Sequence, residues 1–128
     1  MTSEMKEAAI RVLMMPRDTN QHGTIFGGVI LSHIDQAGAV AAIRRGCQMV
    51  VTVAMDQVVF AEPVHVGDLV SFYADLIKVG RTSLEVAVRV EADRRSSGER
   101  VVVTTANVTF VNVDAKGKPR AVPSEPGT

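Results

Sequence analysis

Between positions 20 and 42, NQHGTIFGGVILSHIDQAGAVAA, a polar loop passes through a glycine pair into an almost wholly apolar segment. From Gly28 to about Arg45, apolar residues recur at Ile30, Ile34, Ala37 and Ala41, with Leu31, Gly38 and Ala42 beside them. This spacing predicts a helix of about 27 Å at roughly 1.5 Å per residue. Its polar positions are few, Ser32, His33, Asp35 and Gln36, with Arg44 and Arg45 in the last turn, where they suit the negative end of the helix dipole. A helix so apolar is expected to be covered on most sides.

After Gly46 the period changes to two. Strands rich in Val, Thr and aromatic residues are predicted over 50–61, 68–79, 83–92 and 100–113, with a shorter one at Ile10 to Met14. The clearest alternation sets Leu84, Val86, Val88 and Val90 against Glu85, Ala87, Arg89 and Glu91, so one face of that strand is buried and the other partly wet. EPVHVGD, VGRTS and RRSSGE are short breaks containing Pro or Gly, and they predict antiparallel hairpins between successive strands. The expected architecture is α+β, an antiparallel sheet of about five strands that curls around one long helix.

Composition adds limits. The chain has 128 residues, 46% of them hydrophobic, which is enough for one domain with one core but leaves apolar surface that oligomerisation would cover. We expect a single domain over 1–128, with a tail rich in Pro, Gly and charge that is mobile from about 121. Fourteen basic residues balance fourteen acidic ones, so no overall field draws nucleic acid or an anionic membrane. Cys47 is the single cysteine, which excludes an internal disulfide and a cysteine-rich metal site and suits a reducing compartment. No stretch reads as a signal peptide or a membrane span, and a cytoplasmic location is expected.

Several groups could carry chemistry. Gly27 and Gly28 precede a helix whose first turn offers free N–H groups, a place for the oxygen of a polarised carbonyl, although two glycines serve a tight turn equally well. Asp35, seven residues after Gly28, projects from the same side of the helix; it is either a functional carboxylate facing a cleft or one paired with a cation or set at a dimer seam. Asn20 offers a donor and an acceptor, or forms a turn. VGRTS could meet a phosphate through Arg81 and backbone N–H groups, and Lys116, Lys118 and Arg120 form a second basic stretch; both also read as solvated turns. Ser32, His33 and Asp35 do not make a triad, because successive helical residues diverge by about 100°. His22, His33 and His65 lack metal-ligand spacing, so no metal is expected. Cys47 has no base recognisable beside it and reads as structural.

Taken together, PRDTNQHGTIFGGVILSHIDQAGAVAA (16–42) and VTVAMDQVVFAEPVHVGDLVSFYADLIKVGRTSLEV (51–86) resemble hotdog-fold acyl-CoA thioesterases of the YciA-like and cytosolic acyl-CoA hydrolase groups. The resemblance runs over nearly all of residues 10 to 123. It implies a curved sheet around a central helix and a homodimer unit that assembles further, into a hexamer or a tetramer. It also implies acyl-CoA as substrate, with no separate cofactor. Asp35 would be the catalytic carboxylate, Asn20 its partner from the opposite subunit, and Gly28 an oxyanion-hole N–H. His22, Gly23, Phe26 and Gly27 would contact substrate, and Gly80, Arg81, Thr82 and Ser83 would lie along the CoA groove. Met49, Met55, Val59 and Phe60 would bound the acyl tunnel.

The expected reaction is hydrolysis of an acyl-CoA to acid and CoA, with Asp35 acting as general base or as nucleophile. Two other readings belong to different classes. One is a hotdog module that binds acyl-CoA without turning it over; the other is a hydroxyacyl-thioester dehydratase, which would need a His and carboxylate pairing that His22 and His33 do not form.

Overall fold

The computed structural model describes residues 7–124. Strand β1 (Ile10–Leu13) leads through a short 3-10 turn at Pro16–Asp18 and a loop into helix α1 (Gly27–Arg45). Strands β2 (Val50–Phe60), β3 (Leu69–Val79), β4 (Ser83–Asp93) and β5 (Arg100–Asn112) follow. Each expected element is present with ends shifted by a residue or so. The helix stops at Gly46, whose φ of 116° is open to glycine and lets its N–H close onto Ala42 and Ile43.

All pairings are antiparallel, in the order β1-β3-β4-β5-β2. Two of the expected hairpins are present, β3 with β4 and β4 with β5. The third is corrected: β2 pairs with β5, not with β3, so residues 61–68 form a crossover. β2 and β3 stand three positions apart, about 14 Å at about 4.8 Å per strand, within the reach of eight residues at up to about 3.3 Å each. On its way this connection donates from Ala61 N–H to Val103 O at 2.8 Å and accepts from Ile25 N–H at Val64 O at 2.8 Å. A buried ion pair then pins its end, Arg94 Nη1 to Asp68 Oδ2 at 2.5 Å, with Asp68 also accepting the His65 N–H.

All five strands touch α1. Its buried face, Ile30, Ile34, Ala37, Gly38 and Ala42, packs on Phe72, Val86, Val88, Val108 and Phe110 from the sheet. Gly38 matters here, because a Cβ at that position would lie 2.8 Å from the Phe110 ring, so the missing side chain lets helix and sheet approach closely. The opposite side of α1 is only half covered in one chain. Strand β2 is the barest element. It carries two bulges, at Thr52/Ala54 and Asp56/Val59, and exposes Val51, Val53, Val59 and Phe60 on an open sheet edge.

The tail expected to be mobile is docked as far as Ser124. Val122 N–H donates to Arg81 O at 2.8 Å, Asn112 Nδ2 to Ala121 O at 3.0 Å, and Arg45 Nη2 to Pro123 O at 3.0 Å. The remaining four residues lie outside the described ones.

Candidate active site

The N-terminus of α1 separates the two glycines. A Cβ on Gly27 would lie 3.2 Å from Cζ of Phe60, so the side chain missing at 27 makes room for that ring. A Cβ on Gly28 would meet nothing within 4 Å, and its backbone is exposed. Val29 and Ile30 donate to Phe26 O at 3.1 and 3.5 Å, while the N–H groups of Gly27 and Gly28 belong to the part of the first turn that has no partner inside the helix. No side chain caps this end. The arrangement is an open pair of donors at the positive end of a 19-residue helix.

Seven residues on, Asp35 is half buried, and its Oδ1 accepts a hydrogen bond from Thr52 Oγ1 at 2.6 Å. Thr52 projects from β2, so helix and edge strand together fix one carboxylate oxygen. A contact this short to a charged acceptor is of the strong kind. Along the helix axis Asp35 lies about 10 Å from Gly28.

Asn20 is held within its own loop. Its Oδ1 accepts from the N–H groups of His22 and Thr24 at 2.8 and 3.1 Å, and its Nδ2 donates to Thr24 Oγ1 at 3.0 Å. One amide hydrogen is left over after these bonds. His22, Gly23 and Phe26 are exposed on the same loop. Among the described residues no hydrogen bond joins Asn20 to Asp35.

A cavity of about 280 Å³ opens beside the helix start, walled by Ile25, Gly27, Ile30, Phe60, Val64 and Thr104. Of the four residues expected to bound an acyl tunnel, Phe60 lines it and Met49, Met55 and Val59 do not. At the far end of the sheet, Gly80 N–H donates to Ser83 O and closes the β3–β4 turn that carries Arg81 and Thr82. Asn112 N–H donates to Thr82 O at 2.8 Å, and the docked tail holds Arg81 O. Arg120 borders a small polar recess next to it, whereas the backbone N–H groups of Lys118 and Lys116 point to Asp114 and hold its carboxyl below the usual range.

A model described as the thioesterase superfamily matches residues 22–99. The acyl-CoA thioester hydrolase YciA of Escherichia coli is 40% identical over 93% of this chain and 92% of its own length. Cj0915, a hexameric hotdog-fold thioesterase of Campylobacter jejuni, superposes with a TM-score of 0.89 at 46% identity, covering 94% of this chain and 92% of that one. The chain belongs to the thioesterase superfamily. A third relative, HI0827, is a hexameric broad specificity acyl-coenzyme A thioesterase solved with one aspartate replaced by alanine. It superposes with a TM-score of 0.89 at 43% identity, covering 94% of this chain and 89% of that one.

In this thioesterase the hotdog fold gathers some of the expected residues and separates others. Asn20, His22, Gly23, Phe26, Gly27 and Gly28 stand together around the helix start. Asp35 lies nearer the Arg81 loop, since Thr52 pairs with Phe110, which pairs with Leu84, the residue after Ser83. Phe60 and Thr104, beside Gly27, join the ladder at Val90, six residues further along β4, or about 20 Å. The sequence reasoning missed Thr52. Thr52 sits in a run of valines at an exposed edge, and only the pairing of helix with strand shows that it faces a carboxylate.

Proposed function

We propose that this chain hydrolyses acyl-CoA thioesters to a carboxylic acid and CoA, with Asp35 as the reacting carboxylate. The observation that carries the proposal is the Thr52–Asp35 contact at 2.6 Å, which fixes one oxygen of a half-buried carboxylate and leaves the other to meet water or the carbonyl carbon. Membership of the thioesterase superfamily and the names of its relatives support the substrate class.

The thioester carbonyl binds at a helix start, where the Gly28 N–H stabilises the charge that develops on oxygen; one such donor is worth about 3 to 4 kcal/mol of barrier. Asp35 either removes a proton from water as it attacks, or attacks directly to give an anhydride that water opens. In both courses the C–S bond breaks and CoA leaves as its thiolate. Asn20 orients the water with its remaining amide hydrogen. The acyl group enters the cavity beside Gly27, with His22, Gly23 and Phe26 along the approach, and Gly80 to Ser83, above all Arg81, track the CoA moiety. No cofactor enters the scheme.

Reacting groups must close to about 3 to 3.5 Å, while Gly28 and Asp35 of one helix stand about 10 Å apart along its axis. A complete site therefore joins Asp35 of one subunit to Asn20 and Gly28 of another. The bare apolar edge of β2, which also bears Thr52, is the surface for that homodimer, and the hexameric relatives support further assembly.

Release of CoA from a panel of acyl-CoAs, followed with a thiol-reactive dye, tests the reading. Wild-type protein should release thiol, and Asp35→Asn should lower the rate by about 10²- to 10⁴-fold without loss of fold. Undiminished turnover by Asp35→Asn would remove Asp35 from the mechanism.

A further inference from the structure

The last described residues fold back onto the turn that carries Arg81. Lys116 and Lys118 donate from their backbone N–H groups to Asp114 Oδ1 at 2.8 and 3.0 Å, closing a turn with Gly117 at a φ of 83° that sends the chain back along β5. Arg120 N–H then donates to Asn112 O at 2.9 Å. Asn112, 3% exposed, gives its Nδ2 to Ala121 O at 3.0 Å and its own N–H to Thr82 O at 2.8 Å, so one residue of β5 holds the tail and the turn together. Val122 packs against the apolar core and donates its N–H to Arg81 O at 2.8 Å. Arg45, the last residue of α1, fastens the far side with Nη2 bonds to Pro123 O at 3.0 Å and Ser124 O at 3.2 Å. Bonds from a charged donor are of the stronger kind.

We infer that residues 120–123 are a clasp that positions Arg81 against the phosphates of CoA, with Arg45 and Asn112 as positioning residues that act through it. The inference rests on the reading of Arg81 as a contact to the CoA moiety. Arg81 is exposed, and its place is set by its backbone. With Arg81 O and Thr82 O both held by donors from outside the turn, the peptide groups that follow these residues cannot rotate without breaking a bond, and the guanidinium starts from a fixed Cα. A turn without these bonds has to be ordered by the substrate, and the cost of ordering is subtracted from binding. The phosphates that a guanidinium recognises lie on the nucleotide part of CoA, so the clasp acts on affinity for that part. The reacting end is served separately, because Asp35 is held by Thr52.

The test measures kcat and KM for butyryl-CoA and for S-butyrylpantetheine, which keeps the thioester and lacks the nucleotide, in the full-length protein. Arg45→Met removes the bonds to Pro123 and Ser124, and Val122→Pro removes the N–H that holds Arg81 O. Each should raise KM for butyryl-CoA by about three- to tenfold with a smaller change in kcat, and leave both constants for S-butyrylpantetheine as in wild type. Arg45→Lys, which keeps a charged donor, should recover part of the loss. In an Arg81→Ala background Arg45→Met should raise KM no further, because its effect runs through Arg81. An unchanged KM for butyryl-CoA in Arg45→Met overturns the inference and leaves the hydrolase intact. So does an equal loss on both substrates, which would make the tail a support of the whole fold, or a further rise in the Arg81→Ala background. Absence of thiol release from both substrates by the wild-type protein overturns the hydrolase reading and the inference with it.

Discussion

Replacing Thr52 by valine removes one hydroxyl and leaves shape and strand preference almost unchanged. The wild-type hydroxyl donates to Asp35 Oδ1 at 2.6 Å. Hydrogen bonds to charged groups contribute about 1.5 to 3 kcal/mol, and the lower end applies because Thr52 is exposed in the single chain. A loss of about 1.5 to 2 kcal/mol in the ability to hold the carboxylate in its reacting position corresponds to a fall of about 10- to 30-fold in kcat. KM should change less, since Thr52 is not placed against the CoA moiety. Steady-state CoA release measures both constants, and Thr52→Ser should recover most of the rate. The fold has little at stake in an edge-strand hydroxyl, so unfolding midpoints should agree within about 2 °C. Wild-type kcat in Thr52→Val would refute the claim that this contact orients the reacting group. Equal losses in the valine and serine variants would refute it too, because serine keeps the hydroxyl.

Three further outcomes follow from the packing. Gly38→Ala sets a Cβ 2.8 Å from the Phe110 ring, and overpacking should outweigh the gain in helix propensity, lowering stability by about 1 to 2 kcal/mol in thermal or urea unfolding. Arg94→Met leaves Asp68, 3% exposed, without its cation; denaturant titration should show a loss of about 2 to 3 kcal/mol, and an unchanged midpoint would mean the pair does not anchor the crossover. Burial raises the Cys47 thiol above its ordinary range despite the opposing pull of Arg45, so the native chain should react slowly with a thiol reagent near pH 8 and quickly once unfolded. Since the folded state keeps this proton longer than the unfolded one, the associated stability is present below the unfolded value near 8.5 and declines as pH rises above it.

How much of the molecule could be read from its sequence depended on whether the relevant contacts were local. Helix α1 was legible because its periodicity, the glycine stop and the two terminal arginines lie within one run of residues. β4 was legible because it is central, with Leu84, Val86, Val88 and Val90 all buried and the intervening positions half covered. β2 was legible as a strand but not in its pairing. Its two bulges interrupt the alternation, and Gln57 sits at a φ of 53°, so the pattern does not show which face is inside. The crossover at 61–68 has the same turn residues as a hairpin, and its course is decided by the Arg94–Asp68 pair and the Ile25–Val64 contact, both far apart in sequence.

Polar residues on apolar faces were the most informative signal, although each was legible only in part. Asp35 stood out at once because a carboxylate on a covered helix needs a partner, yet its partner, Thr52, is 17 residues away on a strand whose own pattern is blurred. Thr104 is the same kind of exception on β5, invisible in sequence because threonine is an ordinary strand residue and only burial shows its hydroxyl to be unsatisfied. The two exceptions have different consequences. Thr52 satisfies Asp35 within the chain, so that contact exists before any ligand arrives and prepares a reacting group. Thr104 Oγ1 has neither a hydrogen-bond partner among the described residues nor exposed surface, so its consequence is a desolvation cost to the fold. A contact made within the fold and already set before substrate binds bears on rate, so Thr52→Val should lower kcat for every acyl group alike.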